Sequence, residues 1–166
     1  EELGTLKDKK VLIIGATGKI GGIVLMNLES LHQADIYVTT RKNKLINTKH
    51  GNDDFTTIDY EDRYNYLDQM DVVISATSSP HYTLTYSKMK KQLVTAKRRV
   101  FVDLAVPMDI EAKISAVDDT CYYNIDDFTR IAKENNQKKL REAEAASGIL
   151  DEYELCLLYT SDAADE

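Results

Sequence analysis

Residues 11–21 read Val11-Leu12-Ile13-Ile14-Gly15-Ala16-Thr17-Gly18-Lys19-Ile20-Gly21. Four consecutive apolar residues, three of them β-branched, lead directly into three evenly spaced glycines. Beyond the turn the apolar spacing becomes that of a helix. The apolar positions of this helix are Ile20, Ile23, Val24, Leu28 and Leu31. The pattern therefore predicts a strand, a tight turn and a helix, which is the opening unit of a parallel α/β fold.

The three glycines have distinct expected roles. Gly15 lets the chain leave the strand sharply, Gly18 lets the backbone approach a pyrophosphate, and Gly21 lets the helix pack closely on the strand. The free N–H groups and the positive dipole end of the helix favour an anion. The G-x-x-G-x-x-G spacing is one residue longer than the usual fingerprint, but the flanking strand and helix favour dinucleotide binding over a purely structural turn. The predicted phosphate-binding residues are Gly15, Ala16, Thr17, Gly18, Lys19, Ile20 and Gly21.

The composition is that of one ordinary globular domain. The chain has 166 residues, of which 43% are hydrophobic and 30% charged, enough for a sizeable core. It contains neither a signal-peptide pattern nor an apolar run of the roughly 20 residues that a membrane span needs, so we expect a cytoplasmic protein without a membrane partner. Cys121 and Cys156 provide no disulfide framework and no metal-ligand spacing. The net charge of −7 argues against nucleic-acid binding by the chain's own field.

Further strand-like segments follow at the intervals of a repeating βα pattern. They are residues 36–40, 55–58, 71–77, 99–107 and 121–125, with a helical or turn segment over 60–69 and a helix over 84–95. This alternation predicts a doubly wound, Rossmann-like parallel sheet of about six strands. From Asp126 the pattern becomes helical again and very polar, which predicts a long helix projecting from the domain.

Two strand ends predict the rest of the nucleotide site. Thr40 and Arg41 follow the second strand, where an acid would bind the ribose 2′-OH of NAD and an arginine suits the 2′-phosphate of NADP. We therefore predict NADPH as the cofactor, although a solvated basic loop would have the same composition. Ala76, Thr77 and Ser78 end the fourth strand and are expected to face the cofactor, because ligands bind outside the carboxyl ends of such strands. Small residues at a strand end are also ordinary loop residues.

Several ordered motifs give the chain a family resemblance. They are LKDKKVLIIG at 6–15, DVVISATSSPH at 71–81, DLAVPMDI at 103–110 and YNIDD at 123–127. With these motifs, residues 5–155 resemble the NADPH-binding domain of glutamyl-tRNA reductase, an enzyme of tetrapyrrole biosynthesis. Two features depart from the family pattern: the longer glycine motif, and Met108 where the family usually has arginine.

The resemblance implies an activity that extends beyond this chain. In the family, a cysteine takes glutamate from glutamyl-tRNA(Glu), and NADPH reduces the thioester to glutamate-1-semialdehyde. That cysteine lies in an N-terminal domain, so the resemblance implies no catalytic residue here, and Cys121 is interpreted as a core residue. It also implies a homodimer for the full-length protein, with glutamate-1-semialdehyde aminomutase as a candidate partner.

The expected organisation is that of a fragment. Residues 1–125 form the NADP-binding domain, and residues 126–155 begin a spinal helix that runs toward a dimerisation domain. Residues 156–166 resemble the in-frame translation of a transposase adapter used in sequencing libraries, and they are left out of the fold reasoning. A natural acidic tail is the other interpretation of these residues.

Two other classes of function stay open at this point. Another NAD(P)-dependent enzyme, such as a precorrin-2 or shikimate dehydrogenase-like domain, would share the sheet and the glycines but not both late motifs. A non-catalytic dinucleotide sensor would bind the cofactor without a catalytic domain upstream. Tyr86 and Lys90 have the spacing of a short-chain dehydrogenase pair, but they come too early in the chain for that fold. Asp103 either orients a substrate or caps neighbouring backbone.

Overall fold

The computed structural model describes residues 4–41 and 54–142. The chain divides into two compact units, one ending at Ile125 and the other beginning at Asp126. The segment 42–53 that follows Arg41, the end of the predicted spinal helix at 143–155 and the adapter-like tail at 156–166 lie outside the described residues. None of the helices in the described ranges is long and apolar enough to cross a membrane.

Within the described residues, six parallel strands form one sheet. The strands are β1 (Lys10–Ile14), β2 (Asp35–Thr40), β3 (Phe55–Asp59), β4 (Val72–Ser75), β5 (Arg99–Asp103) and β6 (Thr120–Asn124). Their order across the sheet is β3-β2-β1-β4-β5-β6, and each neighbouring pair runs parallel. The predicted Rossmann-like sheet is confirmed. The direction of winding reverses between β1 and β4, which opens a crevice at the carboxyl ends of these strands.

Among the described residues, three helices lie between strands and a fourth follows β6. They are α1 (Lys19–Leu31), α2 (Arg63–Tyr66), α3 (Tyr86–Gln92) and α4 (125–142). Short 3₁₀ turns cover Tyr60–Asp62, Leu67–Gln69 and Ala112–Ala116. The helix predicted over 84–95 is shorter at both ends. Leu84 pairs with Ile110 in an isolated parallel bridge, and the N–H groups of Val94 and Thr95 donate to Asp68 Oδ1 at 2.9 and 3.0 Å instead of continuing the helix.

The core consists of two layers that share β1. Leu12 and Ile14 contribute to one cluster, and Val11 and Ile13 contribute to the other. Successive side chains of a strand point to opposite faces, and all four of these residues are fully buried. Burial on both faces explains why β1 is a continuous apolar run rather than an alternating one.

A buried arginine anchors the amino end of β5. The side chain of Arg99 is 2% exposed, and its Nη2 lies 2.6 Å from Asp68 Oδ1. Arg99 also donates to backbone oxygens, at 2.9 Å to Thr95 and at 2.7 Å to Asp68. Burial by itself raises the pKa of Asp68. Hydrogen bonds from Thr95 and Val94 and the charge of Arg99 outweigh this effect, so the pKa lies below its usual value. This ion pair ties the first residue of β5 to the turn before β4, at the end of the sheet opposite the crevice.

Candidate functional site

A cleft of about 710 Å³ lies at the carboxyl ends of the strands. Its volume falls within the range of about 300–1,000 Å³ typical of small-molecule sites. It is lined by the glycine turn, the start of α1 and the segments that follow β2, β3, β4 and β5. Nine of the predicted site residues line it: Gly15, Thr17, Gly18, Lys19, Ile20, Arg41, Ala76, Thr77 and Ser78.

The glycine turn is built by two close backbone approaches. Gly15 has φ +92°, and a methyl group added there would lie 2.7 Å from the carbonyl oxygen of Ala76. A methyl group on Gly21 would lie 2.2 Å from the carbonyl oxygen of Gly15. The turn is closed by the N–H of Gly18, which donates to the Gly15 oxygen at 2.9 Å. The longer motif therefore still produces a sharp exit from β1 and close packing of α1.

The remaining three predicted residues do not line the cleft. Ala16 and Gly21 are buried beneath the turn, where they serve its packing. At the end of β2, Thr39 lines the cleft rather than Thr40, because neighbouring side chains of a strand point to opposite faces.

Several further residues, not predicted from the sequence, also line the cleft. They are Thr39, Tyr60, Ser79, Pro80, Leu104, Ala105, Val106 and Ile125. Residues 76–78 were predicted because ligands bind outside the carboxyl ends of the strands. The same rule, applied to the end of β5, predicts Leu104 and Ala105. Tyr60 follows β3 directly, and the same rule applies there.

The charge of the cleft suits an anion. Lys19 and Arg41 contribute positive charge, and no acidic residue occurs among the described residues that line it. Gly18 is the N-cap of α1, and the first turn of the described helix carries no acidic side chain. No acidic side chain in this turn therefore offsets the partial positive charge that the first N–H groups of a helix carry.

A buried carboxylate organises the loop that follows β4. Asp109 is fully buried, and its Oδ2 accepts hydrogen bonds from Ser75 Oγ at 2.7 Å and from the Thr77 N–H at 2.8 Å. Its Oδ1 accepts from Thr77 Oγ1 at 2.6 Å and from Thr83 Oγ1 at 3.1 Å. The Asp109 carbonyl oxygen also accepts from the N–H groups of Thr83 and Leu84. This network holds one wall of the cleft, and sequence reasoning did not identify it.

Asp103 caps backbone at the end of β5. Its Oδ1 accepts from the Ala105 N–H at 3.0 Å, and its Oδ2 accepts from the Ile110 N–H at 2.8 Å. Burial raises the pKa of Asp103 and the nearby Asp109 carboxylate adds to this, whereas the N–H donors lower it; the net direction is upward. Of the two roles predicted for Asp103, the structure shows the backbone cap.

His81 and three residues discussed in the sequence, Cys121, Tyr86 and Lys90, lie outside the cleft. His81 is exposed in the loop after β4, and Cys121 is half-buried in β6. Lys90 Nζ lies 5.8 Å from the centroid of the Tyr86 ring, and neither residue lines the cleft. In the part of the chain that the structure describes, no group of His, Cys, Asp and Glu side chains has the arrangement of a metal site.

Comparison with known proteins agrees with this geometry. A family model described as shikimate / quinate 5-dehydrogenase matches residues 1–131. The chain belongs to this family. The match covers the sheet, the glycine turn and the cleft, and the fold is the dinucleotide-binding fold.

Several relatives that align with nearly the whole chain are glutamyl-tRNA reductases. The protein from Clostridium novyi is 34% identical over 155 residues, which are 92% of this chain and 36% of the relative. The solved glutamyl-tRNA reductase of Methanopyrus kandleri is 28% identical with a TM-score of 0.73, covering 85% of this chain and 36% of that one. These matches confirm the resemblance drawn from the late motifs.

A third comparison is with a shorter solved chain. The nucleotide-binding domain of the glutamyl-tRNA reductase from Thermoplasma volcanium has a TM-score of 0.58 at 22% identity, over 81% of this chain and 86% of that chain. At this identity the likeness concerns the fold alone. The chain spans about a third of the length of the glutamyl-tRNA reductase from Clostridium novyi.

We predict that Gly21→Ala destabilises the domain and that Gly22→Ala, its matched control, stabilises it. A methyl group at position 22 meets only the Ala16 carbonyl oxygen at 3.4 Å, an ordinary contact. Alanine gains up to about 1 kcal/mol over glycine in a helix, whereas overpacking against the Gly15 carbonyl at position 21 costs about 1–3 kcal/mol. Urea unfolding of both variants measures the difference, and equal stabilities would contradict the close contact between α1 and the turn.

We also predict that Asp109→Ala lowers the free energy of unfolding by about 3 kcal/mol or more, because it leaves several buried donors without an acceptor. Asp109→Asn is expected to cost less, since its amide oxygen still accepts from the Thr77 N–H and hydroxyl groups can rotate to accept from its NH₂. Asp118→Ala, at an exposed position, is the control and should change stability by no more than about 0.5 kcal/mol. Similar urea midpoints for Asp109→Ala and Asp118→Ala would show that the network is not stabilising.

Proposed function

We propose that this chain is the NADPH-binding domain of a glutamyl-tRNA reductase. The observation that supports it most strongly is the cleft itself, which brings the glycine turn, the start of α1 and Arg41 together at the reversal of the sheet. Ligands of doubly wound sheets bind at this position. The substrate class in this proposal comes from the relatives, which are glutamyl-tRNA reductases. The cleft contributes the N–H donors and positive charge expected of a nucleotide site.

The residues of the cleft fit a dinucleotide. A pyrophosphate needs N–H donors and positive charge, which the first turn of α1 and Lys19 provide. The small side chains of Ala76, Thr77 and Ser78 leave room beside the glycine turn, and Asp109 accepts from the backbone N–H of Thr77. We assign the pyrophosphate to the part of the glycine motif that lines the cleft, Gly15 and residues 17–20, and the nicotinamide half to residues 76–78. NADPH, when bound, supplies the hydride that reduces a glutamate thioester to the aldehyde.

Arg41 supports NADPH over NADH. It lines the cleft next to the end of β2, which is where an acidic residue would bind the ribose 2′-OH of NAD. A guanidinium group instead offers planar, charged donors to a 2′-phosphate. We infer that Arg41 is the residue that selects the phosphorylated nucleotide, with Thr39 and Thr40 beside it.

The rest of the activity belongs, in this proposal, to parts of a longer protein. The cysteine that carries the glutamyl thioester and the surface that reads glutamyl-tRNA would come from the remaining two thirds of the length seen in the relatives. We propose that the chain by itself binds the nucleotide without catalysing the reduction. A homodimeric, cytoplasmic full-length protein and an encounter with glutamate-1-semialdehyde aminomutase belong to the same proposal, and both rest on the family resemblance.

Nucleotide titration tests the cofactor assignment. The 166-residue chain is expected to bind NADPH more tightly than NADH in calorimetry. Arg41→Ala should weaken NADPH binding by about 10- to 100-fold, the worth of a charged hydrogen bond, and leave NADH within about twofold. Arg130→Ala, which removes an exposed arginine from α4, is the matched control and should change neither affinity. Equal binding of the two nucleotides by the unchanged chain would refute the role of Arg41.

The flanking coding sequence tests the family role separately. Upstream of residue 1 we expect a domain that contains a cysteine and a tRNA-binding surface, and downstream of the α4 segment we expect a helical dimerisation domain. A DNA-binding domain upstream, in place of a cysteine-containing one, would instead support a dinucleotide sensor. This outcome would overturn the reductase assignment and leave the nucleotide site standing.

A further inference from the structure

We propose that Tyr60 is a specificity-determining residue that positions Arg41 for a 2′-phosphate. Tyr60 lines the same cleft as Arg41, and the guanidinium carbon of Arg41 lies 4.8 Å from the centroid of its ring. This distance is within the range of an attractive cation–π contact. The inference rests on the proposed function, because it assumes that this end of the cleft receives the ribose of NADPH.

The Tyr60 ring is held in place before any ligand binds. The guanidinium carbon of Arg63 lies 3.9 Å from the centroid of the same ring, and Arg63 Nη1 donates to the Tyr60 carbonyl oxygen at 2.8 Å. The turn that begins at Tyr60 is capped by Asp59, whose Oδ1 accepts from the Glu61 N–H at 3.0 Å. Backbone and ring are therefore fixed from different directions, and the ring forms a rigid platform.

This platform is connected to the wall of the cleft. Arg63 Nε donates to the Thr83 carbonyl oxygen at 3.0 Å, and the hydroxyl of Tyr64 donates to the same oxygen at 3.2 Å. The Thr83 hydroxyl in turn donates to Asp109. One continuous set of contacts thus joins the ring under Arg41 to the loop that follows β4.

The two arginines have different tasks on this ring. Arg63 is occupied by two carbonyl oxygens, those of Tyr60 and Thr83, and it serves as the anchor. Arg41 lines the cleft and is the arginine that can meet a ligand. Holding a long, flexible side chain in place before binding reduces the conformational entropy lost on binding. A flat ring can do this without using the N–H donors that a phosphate needs.

The test compares Tyr60→Phe and Tyr60→Met in the 166-residue chain. Phenylalanine keeps the aromatic face, whereas methionine keeps apolar bulk without it. We expect Tyr60→Met to weaken NADPH binding by about two- to tenfold, the range of a cation–π contact, and to leave NADH within about twofold. Tyr60→Phe should keep the preference of the unchanged chain. Thermal unfolding followed by circular dichroism identifies any variant that fails to fold, and Tyr60→Leu then replaces it.

Each result of the titration is decisive. An equal loss of NADPH and NADH affinity in Tyr60→Met would mean that the ring contacts the shared part of the nucleotide, and it would overturn the positioning role. An unchanged preference in Tyr60→Met would overturn it as well. Both results leave the proposed function standing, because the unchanged chain still selects NADPH. If the unchanged chain binds neither nucleotide, the cofactor assignment fails and the inference fails with it.

Discussion

The hydrogen bonds to the buried carboxylate of Asp109 are the constraint on which the rest of the site depends. A carboxylate excluded from water is costly unless donors surround it, and here an N–H and three hydroxyl groups do so. The donors come from the end of β4 and from the loop that follows, while Asp109 belongs to the segment after β5. The hydrogen bonds to this one carboxylate therefore hold the segments after β4 and β5 together. The cleft forms where these segments meet the glycine turn.

Backbone contacts complete what the carboxylate begins. The positive φ of Gly15 brings the turn against the Ala76 carbonyl, and the missing side chain of Gly21 lets α1 lie against the turn. These contacts tolerate no Cβ, so they place the helix N-terminus within narrow limits. Side chains such as Lys19 and Arg41 then have only to provide charge around a cavity whose shape is set by main chain.

The fold was predictable from sequence because its signals are local. The apolar run of β1, the glycines and the alternation of strands and helices are all periodic patterns, and the structure confirms the sheet that they indicate. Asp109 was not predictable in this way, because its partners Ser75 and Thr83 lie 34 and 26 residues away in sequence. The early end of α3 also depends on a contact between residues distant in sequence, because the N–H groups of Val94 and Thr95 donate to Asp68 instead of continuing the helix. At the end of β2, Thr39 rather than Thr40 lines the cleft, because a shift of one residue along a strand moves the side chain to the other face.

The strand β1 also has a consequence for how the domain comes apart. Its alternate side chains belong to two separate apolar clusters, one on each side of the sheet. Because both clusters pack on β1, disruption of one cluster also removes packing contacts from the strand on which the other cluster depends. We therefore expect the two clusters to unfold as one cooperative unit, with the amide protons of β1 exchanging with solvent through global unfolding. The glycine turn begins at the end of this strand, so the nucleotide site is attached to the part of the domain that opens last.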